Sequence, residues 1–181
     1  MEKNRLEAFS DGVLAIIITI MVLELRQPEG GALADLMALK PILLSYTLSF
    51  VFIAIYWINH HIIFQKADTI NVKILWCNIA WLFTMSFIPF ATAWSGTYPT
   101  EWAPLSLYFA DMSLASITFH QMYYLIACEG GRKNEFRLNA RNIISLVTYF
   151  LAAVIGGFFP LLAYIAVAIV TCWWIVPAKH E

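Results

Sequence analysis

The side chains able to do chemistry are few, and they gather in two short stretches. One begins at Arg5 and reaches Glu24, with Arg5, Glu7, Ser10, Asp11 and Glu24 set around the uncharged run Gly12 to Leu23. The other is Tyr56-Trp57-Ile58-Asn59-His60-His61. In the first, the Arg5 guanidinium is a candidate partner for the Asp11 carboxylate. Ser10 and Asp11 are equally candidates to cap the apolar part of a helix by accepting backbone N–H bonds. In the second, adjacent His60 and His61 project about 100° apart on a helix. They do not share one metal easily, and no carboxylate stands three or four residues away, so no fixed metal site is expected. A polar contact from either histidine to the Arg5/Asp11 region is the stronger expectation. Asp111 and His120 are nine residues apart and face opposite ways on a helix, so they form no dyad. Asp111 is expected to reach water or a polar neighbour. Cys77, Cys128 and Cys172 include no CxxC pair and read as free thiols. Neither a nucleophile–base pair nor a three-ligand metal pattern assembles from local spacing, which argues against an enzyme.

These residues must be held by elements of an unusual kind. The chain has 181 residues, 61% hydrophobic and 13% charged, with a mean hydropathy of +0.71; soluble chains carry about 25% charged residues. A net charge of -1 offers no concentrated basic surface for nucleic acid. Crossing a bilayer takes about 20 predominantly apolar residues in a helix. Pro41 to Gln65 and Ile74 to Thr100 contain no Asp, Glu, Lys or Arg, and Trp102 to Cys128 contains only Asp111. Asn142 to Ala178 is also free of these charges but too long for one crossing, and Gly156, Gly157 and Pro160 break it into a hairpin. The chain therefore reads as an all-α membrane protein. Residues 1–181 form a single domain of six transmembrane helices, near 5–26, 41–65, 74–95, 102–128, 138–156 and 158–177. Lys3 and Arg5 before an apolar run resemble a secretory signal, but Glu7 and Asp11 interrupt it, so a retained helix is expected.

Basic residues accumulate in cytoplasmic loops and ends. With the N-terminus inside, nine fall inside (Lys3, Arg5, Lys66, Lys73, Arg132, Lys133, Arg137, Arg141 and Lys179) and only Arg26 and Lys40 outside. Both termini are then cytoplasmic. Trp94, Tyr98, Trp102, Trp173 and Trp174 stand where interfacial aromatic belts are expected. Asn78, Thr84, Ser86, Ser113 and Ser116 are candidates for hydrogen bonds between helices.

On the first helix, Phe9, Gly12, Ile16, Ile20 and Leu23 share one stripe, with Val13 and Thr19 beside it. Such a stripe commonly serves helix packing; the polar cluster at its end suggests more. Here the segment resembles the endosomal and lysosomal potassium channels and their shorter bacterial relatives, whose first helix bears a Phe-Ser-Asp signature. The match is Phe9-Ser10-Asp11 with Arg5 before it and Gly12, Ala15, Ile16, Thr19, Leu23 and Glu24 after it, joined by Tyr56 to His61 on the second helix.

The resemblance implies a homotetramer in the plasma membrane of a prokaryote, with four copies of the first helix lining a potassium-selective pore. Ile16, Ile20 and Leu23 are then its apolar constricting layers and Thr19 a nearby hydroxyl layer. Arg5, Phe9, Ser10, Asp11, Asn59, His60 and His61 form the motif and the polar network at the inner end. Potassium is implied as a transient permeant ion, with no cofactor. The chain lacks the Thr-Val-Gly-Tyr-Gly filter sequence of ordinary potassium channels, as the resemblance implies. A rival reading is a secondary or proton-coupled transporter, with Asp11, Asp111 and the histidines as substrate or proton sites.

Overall fold

The computed structural model describes residues 3–131 and 139–176. Within them the chain forms seven helices: α1 (Lys3–Leu23), α2 (Leu33–Ala38), α3 (Lys40–Gln65), α4 (Val72–Thr97), α5 (Trp102–Glu129), α6 (Ala140–Ile155) and α7 (Pro160–Trp173). No strand occurs among the described residues. Arg132, Lys133, Arg137 and Lys179 of the basic asymmetry, residue 138 of the fifth expected helix and residue 177 of the sixth lie outside them.

Three helices, α1, α3 and α4, are long and apolar enough to cross a membrane. The 28 residues of α5 suffice in length, but Asp111, His120, Gln121 and several hydroxyls dilute its apolar character. At 16 and 14 residues, α6 and α7 span about 24 and 21 Å, less than the roughly 30 Å hydrocarbon core.

Local chemistry sets the helix ends. Asn71 Oδ1 accepts from the Ile74 N–H at 2.9 Å and starts α4, and Asn139 Oδ1 accepts from the Asn142 N–H at 3.0 Å and starts α6. Pro41 and Pro160 occupy first-turn positions of α3 and α7, where a missing N–H costs nothing. The break expected near Gly156 and Gly157 falls between α6 and α7. The short α2 was not foreseen; Asp35 Oδ2 accepts the Ala32 N–H at 2.9 Å and closes its first turn. The first helix ends at Leu23, three residues short of expectation, and leaves Glu24, Leu25 and Arg26 beyond it.

α4 packs against α1, α3 and α5, and α6 and α7 complete the bundle against α5 and α3. Gly96 allows the closest approach of α3 and α4, since a Cβ there would stand 2.7 Å from Ile42 Cα. In the half of the bundle holding the α4–α5 connection, hydroxyls clip four helices together. Ser49 Oγ lies 2.7 Å from Thr92 Oγ1 and 2.8 Å from the Tyr108 hydroxyl, and Ser45 Oγ is 3.1 Å from the Tyr164 hydroxyl. Asp111, one turn along α5 from Tyr108, is only 7% exposed, and its Oδ2 has no hydrogen-bond partner. No polar neighbour of the protein is within hydrogen-bond reach of that oxygen. Ser86 and Ser113 also depart from expectation, because their hydroxyls donate to the Phe83 and Phe109 carbonyls of their own helices.

Candidate functional site

α1 has two faces set by its 3.6-residue period. Leu6, Ser10, Leu14, Ile17 and Met21 are buried against the bundle, chiefly on α4 and α3. Phe9, Gly12, Ile16, Thr19, Ile20 and Leu23 are exposed, with Ile16 at 59% and Leu23 at 80% against 3% for Ile17. Only 28% of the most apolar stretch of α1 is buried, against 44% in α3 and 50% in α4. The most hydropathic of these helices is thus the least covered by its own chain. The Thr19 hydroxyl donates to the Ile16 carbonyl of its own helix at 2.8 Å.

The N-terminal half of α1 is tied to α3 by residues four apart. Lys3 Nζ reaches the Ala67 carbonyl at 3.4 Å, just past the end of α3. Glu7 Oε1 lies 3.9 Å from His61 Nδ1, and Asp11 Oδ1 accepts the Trp57 indole N–H at 2.9 Å. Successive partners descend α3 as α1 rises, as an antiparallel pair requires. The expected Arg5–Asp11 pair is not formed within the chain. Six residues separate the two by about 9 Å along the axis and 120° around it, so they face different neighbours, and Arg5 is exposed.

Nor do Ser10 and Asp11 cap a helix start, because α1 already begins at Lys3. Ser10 is fully buried and belongs to a directed chain of hydrogen bonds. His60 Nε2 donates to Asn78 Oδ1 at 2.9 Å, Asn78 Nδ2 donates to Ser10 Oγ at 3.0 Å, and Ser10 Oγ donates to the Leu6 carbonyl at 2.9 Å. The His60 ring stacks between Phe64 and Trp81, with centroids 4.4 and 4.9 Å away. Asn78 therefore joins α1, α3 and α4 at one buried point. Sequence reasoning placed it only among general hydrogen-bonding candidates, and its uncharged position inside a long apolar run was the one available signal.

Of the other expected site residues, His61 is exposed, and its Nε2 is 2.8 Å from Gln65 Nε2. Asn59 turns back to the Ile55 carbonyl of its own helix at 2.8 Å. The structure thus gathers Ser10, Asp11, His60 and His61 about the α1–α3 contact, leaves Arg5 and Phe9 on the exposed side, and turns Ile16, Ile20 and Leu23 away from the subunit core.

Comparison with known proteins follows this geometry. A sequence profile of the family described as Endosomal/lysosomal potassium channel TMEM175 matches residues 5–89. A potassium channel of Chryseobacterium sp. (strain P1-3) is 40% identical over 99% of this chain and 96% of its own length. The endosomal/lysosomal proton channel TMEM175 of Rattus norvegicus is 26% identical over 90% of this chain, which spans 36% of the rat protein. Among solved structures, the crystal structure of a lysosomal potassium-selective channel TMEM175 homolog from Chamaesiphon minutus superposes with a TM-score of 0.85 at 26% identity, covering 96% of each chain. Similarity along nearly the whole of both chains, in sequence and in fold, makes this chain a member of the TMEM175 family.

Proposed function

We propose that this chain is one subunit of a potassium-selective channel, a homotetramer in a prokaryotic plasma membrane, in which four copies of α1 surround the ion path. The observation that carries the reading is the uncovered stripe of α1, an apolar surface held at a fixed rotation by polar ties at one end. The similarity to a bacterial potassium channel over almost its full length supports the choice of ion. Residues 1–181 then act as a single channel domain of six membrane helices, with α2 lying outside the membrane and both termini in the cytoplasm.

In this arrangement Ile16, Ile20 and Leu23 form successive apolar layers, and Thr19 a layer between the first two. An apolar ring blocks ions by dewetting when narrow and passes them when wide enough to hold water. Potassium rearranges its weaker hydration shell at lower cost than sodium, which gives such a ring a physical route to preference. Arg5, Phe9, Ser10 and Asp11, with Asn59, His60 and His61, set the inner end of the path. No cofactor enters; potassium passes through.

A proton-coupled carrier is the second reading, favoured by one observation: the buried Asp111 carboxylate with an unpartnered oxygen. Purified protein in planar bilayers separates the two. Unitary currents whose reversal potential follows the potassium gradient, against sodium and against protons, support the channel. Slow, saturable flux without unitary events, abolished by Asp111→Asn, would replace it with the carrier.

A further inference from the structure

α4 carries a proline, Pro89, in its interior. A proline there offers no N–H to the carbonyl four residues back, that of Met85, and its ring clashes with that carbonyl. A bend that opens the helix on the ring's side relieves the clash. The helix period gives the direction. Pro89 stands eleven residues beyond Asn78, three turns on and about 20° further round, and Asn78 Nδ2 donates to Ser10 of α1 at 3.0 Å. The buried ring of Pro89 therefore faces α1, and the bend carries residues 90–97 away from it.

The contact between the two helices changes accordingly. Before the bend, Ser10 and Asn78 are fully buried where they meet. Around and beyond it a groove of about 650 Å³ lies between α1 and α4. On the α4 side only Ser86 precedes the proline, and Phe90, Ala93, Trp94 and Thr97 follow it. On the α1 side the groove extends past Ile20 to Glu24 and Arg26. Ile20 is 41% and Phe90 58% exposed. Among the described residues, no side-chain hydrogen bond joins α1 to α4 beyond the Ser10–Asn78 pair.

We propose that Pro89 is a positioning residue for opening of the ion path: its bend keeps this groove clear, and the outer half of α1 swings into the groove when the outer layers widen enough to hold water. The inference rests on the proposed reading of α1 as the helix that lines the path. Ile20 and Leu23 stand on the half of α1 that swings. Ile16, nearer to the polar ties at the other end, moves less, so opening changes while the first layer keeps its bore. A straight α4 would fill the groove and hold the outer half of α1 where it is.

The test uses the full-length protein in lipid bilayers. Pro89→Ala should lower the open probability of single channels about tenfold, the scale on which a minor state of a two-state equilibrium is shifted, with unitary conductance and the potassium-to-sodium ratio unchanged. A merely structural role would reduce the number of channels and leave each one opening as before. Pro89→Gly, which leaves α4 free to bend, should return opening toward wild type. The groove is read separately, without ion conduction, by the pair Glu24→Cys with Thr97→Cys after Cys77, Cys128 and Cys172 are replaced by serine. A disulfide needs Cβ atoms about 3.5–4.5 Å apart, so its rate of formation under a mild oxidant reports closure of the groove. It should form several-fold faster when Pro89→Ala is added. With Pro89 in place, the disulfide traps α1 against α4 and should raise the open probability about tenfold, and a reductant should reverse the gain. Wild-type opening in Pro89→Ala, or a trapped disulfide that lowers opening, overturns the proposal. No disulfide with either residue at position 89 means that the groove is filled by the next subunit, and overturns it too. Absence of unitary currents from the wild-type protein sinks the channel reading and this role with it, whereas wild-type currents that persist unaltered in Pro89→Ala sink the role alone.

Discussion

Replacing Asn78 by Leu tests whether one buried amide fixes α1 to the bundle. The change keeps roughly the same size and removes both halves of a relay: the acceptor for His60 Nε2–H at 2.9 Å and the donor to Ser10 Oγ at 3.0 Å. In a membrane the unfolded reference also finds partners, so each hydrogen bond between helices contributes about 0.6 kcal/mol on average and up to about 1.7. Two such bonds give a destabilisation of about 1–3 kcal/mol. The upper part of that range is favoured because His60 is left with an N–H between the Phe64 and Trp81 rings. Reversible unfolding in mixed detergent micelles measures it, and Asn59→Leu is the control, since Asn59 donates to the Ile55 carbonyl of its own helix. A double-mutant cycle with Ser10→Ala should show a coupling of about 0.6–1.7 kcal/mol. Asn78→Leu within 0.5 kcal/mol of wild type, in line with an ordinary surface change of about that size, or strict additivity with Ser10→Ala, refutes the reasoning.

Ile16→Asn should leave subunit stability within about 0.5 kcal/mol while lowering the potassium-to-sodium permeability ratio. Ile17→Asn should instead destabilise by about 1–3 kcal/mol by placing an unpaired amide in the core; an unchanged ratio in Ile16→Asn removes it from the ion path. Trp57→Phe takes the indole donor from Asp11, and assembled channel per unit of protein should fall, measured by size-exclusion chromatography; wild-type assembly would show that the bond does not set the rotation of α1. Gly96→Val should destabilise by about 1–3 kcal/mol through collision with the Ile42 backbone, read as a lowered thermal midpoint, and an unshifted midpoint would mean that α3 and α4 do not meet so closely. A cysteine at Thr69 should be labelled only from the cytoplasmic face and one at Tyr98 only from outside. Labelling of both from one face defeats the proposed topology.

What the sequence made legible follows from periodicity and from backbone rules. The stripe through Phe9, Gly12, Ile16, Ile20 and Leu23 could be drawn because a helix repeats every 3.6 residues, and all five residues are exposed in the subunit. The α6–α7 turn could be placed because Gly156, Gly157 and Pro160 cannot all continue a helix. Pairings between helices were a different matter. Arg5 and Asp11 are near in sequence and opposite in charge, yet a helix turns them 120° apart, and Trp57, an indole from another helix, takes the carboxylate. Asn78 meets His60 and Ser10 only because three helices converge on it, which no local window contains. Asp111 was expected to reach water or a polar neighbour because it is charged, whereas packing against neighbouring helices buries it.

The side-chain ties of α1 to other helices, among the described residues, all fall between Lys3 and Asp11. Beyond Asp11 the helix meets its neighbours through apolar surfaces, and the Thr19 hydroxyl is spent on its own backbone. Mechanically this is a beam clamped at one end. Ile16 lies about 7.5 Å from the clamp and Leu23 about 18 Å, at 1.5 Å per residue. A 5° tilt, taken as an order-of-magnitude illustration, would move Ile16 by about 0.7 Å and Leu23 by about 1.6 Å over those lengths. In a four-fold ring, opposite copies would separate by twice as much, which at Leu23 is about 3 Å, close to the diameter of a water molecule. In the proposed ring the same small motion would change the wetting of the far layer more than that of the near one. If α1 lines the proposed pore, its labour would divide along its length, with the tip suited to opening and closing and the clamped part to holding a fixed bore.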